Sequence, residues 1–561
     1  EAGHWSIRAV GAAETTRRYL DMTMVLETTY RTPTGTLVVV DALAMGTGNR
    51  GHDLGKDAPH LLLRRATCVE GEVEVEVEYA PRPEYGLIQP LLDTSDGGLV
   101  AIGGSDVLVL SWPSALDVSG STASGRFSLR HGDTACFALH HCKRAEPGKA
   151  GVWSQSEIAE RMEDTILAWV SWSELHQAYE GPWRDLVHQS GRVLQALSFQ
   201  PSGAICAAAT TSLPETSGGD RNWDYRYAWV RDASYTIEAL WVAACPDEAN
   251  EFFDYISTSA ASSVSYGADL QIMFGIGGER DLTERELPHL PGWRNSAPVR
   301  VGNGAWCQRQ VDVYGELLNS LYRLSDQITE LTPATKRFLV QLADAAARRW
   351  DEKDQGIWEV RGEPRHFVYS KLMCWVALER AVALSDRLDA SDRVAEWKET
   401  QDKIHQAITT RGWSDRANAF TQSFGSDDLD ASNLMIPVVG CLPADDPRVL
   451  ATIDAIEERL TDDRGLVYRY RAHDGLEGEE GTFLFCTFLL AQALAMAGRP
   501  ERARDVFERA AAFVNDVGLL SEEVDPTSGE LLGNFPQAFS HIGLVNAAWA
   551  ISQAQRLRPE S

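Results

Sequence analysis

The sequence predicts an antiparallel β-sandwich over residues 1–154 and an (α/α)6 barrel over 183–561, joined by a helical linker at 155–182. Three observations carry this reading. The first part holds short apolar runs separated by Gly, Pro and Asp, one of which alternates strictly. Beyond residue 183, apolar residues recur at helical period in twelve segments. The connections between those segments alternate in length, and the long ones carry Trp, Arg and carboxylates.

In the first part, Leu37-Val38-Val39-Val40, Leu61-Leu62-Leu63-Arg64-Arg65 and Val107-Leu108-Val109-Leu110 read as short strands. The run Glu72-Val73-Glu74-Val75-Glu76-Val77-Glu78-Tyr79 alternates as a half-buried antiparallel strand should. From about 155 the period changes, placing Ile158, Met162, Ile166 and Trp169 on one helix face, and Gly181-Pro182 ends the segment. The twelve helices are expected near 183–199, 229–244, 247–262, 303–325, 333–351, 366–385, 389–410, 427–439, 446–460, 481–497, 499–515 and 535–555. Connections after the even-numbered helices are short. Those before them are mostly long, with one of medium length before 427–439. Six hairpins joined this way predict a toroid with the even helices inside and their N-termini, with the long loops, on one face. A helical solenoid is the competing architecture, but no fixed-period repeat supports it.

A chain of 561 residues, 44% apolar, can bury a large core in more than one domain. Its formal charge of -29 repels phosphate backbones and anionic surfaces, which argues against nucleic acid as a partner. No apolar run approaches the ~18–20 residues that span a bilayer, so no membrane association is expected. The nine cysteines are scattered, without Cys-x-x-Cys, and read as buried reduced thiols of a cytoplasmic protein rather than zinc ligands. No metal or cofactor is expected. The chain begins at Glu1, close to strand-like sequence, and is expected to lack part of its N-terminal domain.

Five loops carry the chemistry. The first, Gly218-Gly219-Asp220-Arg221-Asn222-Trp223-Asp224-Tyr225-Arg226-Tyr227-Ala228-Trp229-Val230-Arg231-Asp232, ends at a helix start. Arg donates in a fixed fork and Asp accepts, so Arg231 with Asp232 can grip vicinal hydroxyls, and Trp223 and Trp229 offer faces for a sugar ring. A loop held by Arg–Asp ion pairs fits this composition equally well. The second runs from Gly277-Gly278-Glu279-Arg280-Asp281 to Asn303-Gly304-Ala305-Trp306. It is Gly-rich without the Lys-Ser/Thr of a phosphate loop, which argues against nucleotide binding. Glu279, Arg280 and Asn303 are open to either ligand contact or support.

The third loop is Gly356-Ile357-Trp358-Glu359-Val360-Arg361-Gly362. Glu359 between two apolar residues is expected to have a raised pKa, as a general acid near neutral pH requires, although an ordinary surface Glu is the commoner case. The fourth holds Tyr468-Arg469-Tyr470 and Glu479-Glu480-Gly481, and the fifth Ser521-Glu522-Glu523 and Gly533-Asn534-Phe535-Pro536-Gln537. A carboxylate in that polar fifth loop is expected to stay ionised, as a base must. Two carboxyl groups with different environments suit glycoside hydrolysis, and the inverting geometry stands them about 6.5–9.5 Å apart. His366 and His541 flank these loops and are expected to serve structural hydrogen bonding.

Taken together, Arg221-Asn222-Trp223-Asp224-Tyr225-Arg226-Tyr227, Trp229-x-Arg231-Asp232, Gly356-Ile357-Trp358-Glu359, Tyr468-Arg469-Tyr470, Ser521-Glu522-Glu523 and Leu532-Gly533-Asn534-Phe535-Pro536-Gln537-Ala538-Phe539 resemble glycoside hydrolase family 15 over essentially the whole chain. The resemblance implies an inverting, exo-acting α-glucoside hydrolase that releases β-D-glucose from a small saccharide. It places Glu359 on the general acid and Glu522 on the general base. Trp223, Tyr227, Trp229, Arg231, Asp232, Trp358, Arg469 and Glu523 fall among substrate-binding positions. Glu523 stands where the family often has Gln, which leaves open which member of the Glu522–Glu523 pair is the base. The family includes glucoamylases, glucodextranases, isomaltose glucohydrolases and trehalases. The stretch from Ala44 to Gly55 departs from that of mycobacterial-type trehalases, favouring isomaltose-type α-1,6 substrates, whereas the later motifs look much like those trehalases. A phosphorylase would need only the acid, and a carbohydrate-binding protein would keep the Trp and Arg residues without needing Glu359 and Glu522 together.

Overall fold

The computed structural model describes residues 2–95, 97–113, 116–146, 150–243, 246–264, 270–325, 331–472 and 480–556. Cys245 and Glu479 lie outside them. The chain divides into two compact units, Glu1–His176 and Gln177–Ser561.

The first unit is built from eleven strands: β1 (His4–Ala9), β2 (Glu14–Tyr19), β3 (Leu26–Arg31), β4 (Gly35–Leu43), β5 (Leu61–Ala80), β6 (Leu92–Ser95), β7 (Gly98–Gly103), β8 (Asp106–Ser111), β9 (Asp117–Ser119), β10 (Thr122–Arg130) and β11 (Thr134–Lys143). All pairings are antiparallel. The two runs expected at 61–65 and 72–79 are halves of one long strand. The first half of β5 belongs to a sheet ordered β2-β3-β4-β5-β11-β8-β7-β6, and its second half pairs with β1 and β10. Gly71 marks the change. Its φ is +67°, and a Cβ there would meet the Thr34 carbonyl. Val73, Val75, Val77 and Tyr79 turn inward onto Leu37, Val39, Leu99, Leu110 and Phe137, while the alternating glutamates face outward.

A helix, α1 (Gln155–His176), packs on β4, β5 and β11 within this unit. Ser154 and Glu157 close its start as a reciprocal cap: Ser154 N–H donates to Glu157 Oε2 at 2.8 Å, and Glu157 N–H donates to Ser154 Oγ at 3.3 Å.

Among the described residues the second unit holds twelve further helices: α2 (Arg184–Leu197), α3 (Asp232–Ala243), α4 (Pro246–Val264), α5 (Val313–Arg323), α6 (Pro333–Arg349), α7 (Val368–Ala383), α8 (Val394–Arg411), α9 (Met435–Val438), α10 (Pro447–Arg459), α11 (Leu484–Met496), α12 (Pro500–Ala511) and α13 (Ala538–Arg556). Contacts run from α3 to α5, α5 to α7, and α7 to the 3-10 turn Ala431–Leu434 that leads into α9. They continue to α11 and α13 and return to α3, which closes an inner ring. The remaining helices pack outside it, the arrangement of an (α/α)6 barrel. Of the inner helices, α11 is buried from Leu484 to Ala495.

Two segments are shorter than their periodicity suggested. The helix expected at 303–325 begins only at Val313, because Asn303 caps a separate 3-10 turn, Gly304–Cys307, by accepting from Ala305 N–H. The segment expected at 427–439 has one α-helical turn, since Pro437 offers no N–H and Gly440 leaves the helix at φ +80°. Phe488 is fully buried on α11. Phe488→Ala should destabilise the barrel by about 3–5 kcal/mol, measured as a lowered denaturation midpoint.

Candidate active site

Four of the long loops, those before α3, α7, α11 and α13, come together to line one pocket. Its wall includes Trp223, Trp229, Arg231, Asp232, Trp358, Glu359, Arg469 and Glu522, eight of the ten residues singled out by sequence. Tyr227 is not on the wall; its hydroxyl donates to Asp224 Oδ2 at 3.2 Å. Glu523 is completely buried behind it. Glu279, Arg280 and Asn303 also stand back from the pocket: Glu279 accepts from Gly277 N–H, Arg280 donates to the Ser259 carbonyl, and Asn303 caps its turn.

Trp229 ends a short strand, Tyr227–Trp229, that pairs with Met273–Gly275 and delivers Arg231 and Asp232 to the start of α3. Trp229 Nε1–H donates to Glu359 Oε1 at 2.6 Å. Arg231 spans three partners: Asp232 Oδ1 at 3.1 Å, the Ile357 carbonyl at 2.6 Å and Glu359 Oε1 at 3.4 Å. Glu359 therefore faces polar donors, unlike the apolar setting its sequence neighbours suggested. Trp358, on the same pocket wall, donates its Nε1–H to Asp430 at 2.9 Å. Glu359 itself adopts φ +57°, held by the Glu359 N–H to Gly356 carbonyl bond and by Gln308 donating to the Glu359 carbonyl at 3.1 Å.

Glu522 stands in a different setting. Its Oε1 accepts from the Tyr225 hydroxyl at 2.9 Å, and its Oε2 is buried with no donor at hydrogen-bond distance among the described residues. Burial pushes its carboxyl up to about 7, partly offset by the Arg469 charge and the Tyr225 hydroxyl. The sequence expectation of a readily ionised group is thus altered by enclosure from distant segments. Gly533, at φ +81°, makes the fit possible; a Cβ there would sit 2.9 Å from Glu522 Oε2.

Behind Glu522 lies a cluster centred on Arg469. Its guanidinium binds Glu480 at 2.7 Å, Glu215 at 3.4 Å and Glu523 at 3.3 Å, and Arg221 also bonds Glu480. Glu523 takes the Gly481 N–H at 2.9 Å, so it is a structural acceptor in this fold. Burial pushes Glu215 up to about 8 and raises Glu523 well above the usual carboxylate range. Glu215, Tyr225, Arg361 and Glu480 line the pocket but were not singled out by sequence. For Arg361 the signal was its place two residues after Glu359. For Glu215, in Leu213-Pro214-Glu215, no local pattern existed.

Residues 181–549 match the model of "Glycosyl hydrolases family 15", and residues 1–126 match "Trehalase-like, N-terminal". The chain belongs to glycosyl hydrolase family 15. This family-15 glycoside hydrolase is 39% identical to a trehalase of Mycolicibacterium smegmatis over 99% of the chain and 85% of that protein. It is equally similar to a trehalase of Mycobacterium tuberculosis, at 39% identity over 99% of the chain and 84% of the relative. Its fold is similar to that of a bacterial glucoamylase solved with acarbose, with a TM-score of 0.71 at 15% identity, covering 96% of this chain and 85% of that one. Among the described residues, no group of His, Cys, Asp and Glu has the arrangement of a metal site, and no helix is long and apolar enough to cross a membrane. The eight described cysteines are free thiols.

Removing the Tyr225 hydroxyl withdraws a donor from the charged form of Glu522. Tyr225→Phe should raise the pKa of that carboxyl by roughly one unit, seen as an upward shift of the acid limb of the kcat/KM–pH profile.

Proposed function

We propose that this protein hydrolyses α,α-trehalose with inversion, Glu359 acting as general acid and Glu522 as general base. The observation that carries the chemistry is that two glutamates from loops far apart in sequence line one pocket and are held there by different donors, Trp229 and Tyr225. The 39% identity to two trehalases along nearly the full chain weighs for the trehalase alternative over the α-1,6 preference suggested by Ala44–Gly55.

In this reading Arg231 and Asp232 bind hydroxyls of the glucosyl ring that is attacked. Trp229 occupies Glu359 Oε1, leaving Oε2 to carry the proton that passes to the glycosidic oxygen as the C1–O bond breaks. Glu522 accepts a proton from water, whose oxygen bonds to C1 from the opposite face. One water is consumed and two glucose molecules are formed. The cytoplasmic setting remains part of this reading, supported by the free thiols.

A base must be ionised before it can act. With the Glu522 carboxyl at about 7, kcat/KM should rise with pH through that value and fall below it. A profile flat from about pH 5 to 8 would exclude Glu522 as the titrating base. Glu359→Gln should remove most turnover, by at least roughly 10²-fold, with the fold intact by circular dichroism. The substrate is tested by kcat/KM on trehalose, isomaltose, maltose and dextran; a preference for isomaltose would overturn the trehalase reading. Stereochemistry is read by NMR on fresh product. Inversion of trehalose gives α- and β-glucose in equal amounts, because the leaving sugar keeps its α configuration, whereas retention gives α-glucose alone.

A further inference from the structure

We infer that His541 is a positioning residue for Glu522: a neutral imidazole with its proton on Nδ1, it accepts the Leu520 N–H and fixes the main chain that carries the base. The inference rests on the proposed role of Glu522.

His541 lies in the first turn of α13 and is fully buried. Its Nε2 is 3.1 Å from the Leu520 amide nitrogen, and its Nδ1 is 2.9 Å from Ser190 Oγ on α2. A backbone amide can only donate, so Nε2 must be the unprotonated nitrogen. The ring proton then sits on Nδ1 and Ser190 Oγ accepts it. Burial pushes the imidazole down to about 3, which keeps a second proton off the ring and the acceptor on Nε2 available.

The amide held in this way opens the segment Leu520–Glu523. The rest of that segment is fastened to the same helix start and to α11. Gln537 N–H donates to the Leu520 carbonyl at 2.9 Å, Ser540 Oγ donates to the Ser521 carbonyl at 2.7 Å, and Leu484 N–H donates to the Glu522 carbonyl at 3.1 Å. Within this set His541 is the side chain that ties the segment to a third helix, α2. Losing that tie frees the main chain two residues ahead of Glu522. A displacement of about 1 Å at a reacting group can lower turnover roughly 10²-fold.

Two variants separate the halves of the imidazole. The amide of His541→Gln extends to the Nε2 position and can still accept from Leu520. That of His541→Asn reaches only the Nδ1 position and keeps Ser190 alone. With trehalose as substrate, His541→Asn should lose kcat roughly 10²-fold with KM little changed. His541→Gln should stay close to the parent enzyme. A folded His541→Asn protein with parental kcat, or equal losses in both variants, would overturn the inference. Should His541→Asn not fold, ¹⁵N-histidine NMR of the parent protein decides. A pyrrole-like Nδ1 and a pyridine-like Nε2, unchanged between about pH 5 and 8, are expected; the opposite tautomer or a titration in that range overturns it. Glu522→Gln serves as the independent control. Retained hydrolysis in that variant would end the role of Glu522, and the NMR result would still report on the tautomer.

Discussion

Arg469 is the constraint around which the pocket is arranged. Its guanidinium reaches Glu480, Glu215 and Glu523, and Arg221 shares Glu480. Glu522 adds a fourth carboxyl within the influence of the Arg469 charge. Two guanidinium groups cannot neutralise four ionised carboxylates in a desolvated space, so protons must make up the difference. This is why burial raises Glu215, Glu522 and Glu523 together. The protonation of the proposed base is therefore a property of the whole cluster, not of one side chain.

The barrel makes such a cluster feasible. The loops that precede α3, α7, α11 and α13 reach one pocket, so groups remote in sequence converge without long excursions of the chain. The main chain of the loop before α13 is fastened to α11 and to α13 itself, and its side chain Glu522 is aimed by Tyr225 from the loop before α3. Orientation thus comes from several elements at once, which is what a catalytic geometry needs.

Much of this was legible in the sequence. The twelve barrel helices followed from apolar period and from the alternating lengths of their connections. The loops followed from their concentration of Trp, Arg and Glu. What was not legible was enclosure. The polar neighbours of Glu522, Ser521 and Asp525, suggested a solvated carboxylate, but its burial comes from Tyr225, Gly533 and the start of α11. Glu523 follows it in extended backbone, where successive side chains point to opposite faces, so only one of the pair meets the pocket. At Glu359 the missing information was polar: its carboxylate finds Trp229 and Arg231, both remote in sequence. Glu215 had no local pattern at all, because its partner Arg469 is distant in sequence.

The left-handed backbone at Glu359 bears on how the molecule balances durability against chemistry. A residue with a Cβ held at φ +57° costs of order 1 kcal/mol or more, a penalty glycine would escape. The most comfortable occupant of that position is therefore one with no carboxyl group. A sequence optimised for thermal endurance alone would drift away from glutamate there, so in the proposed mechanism its presence marks a point where the fold yields stability to keep the proposed proton donor in place.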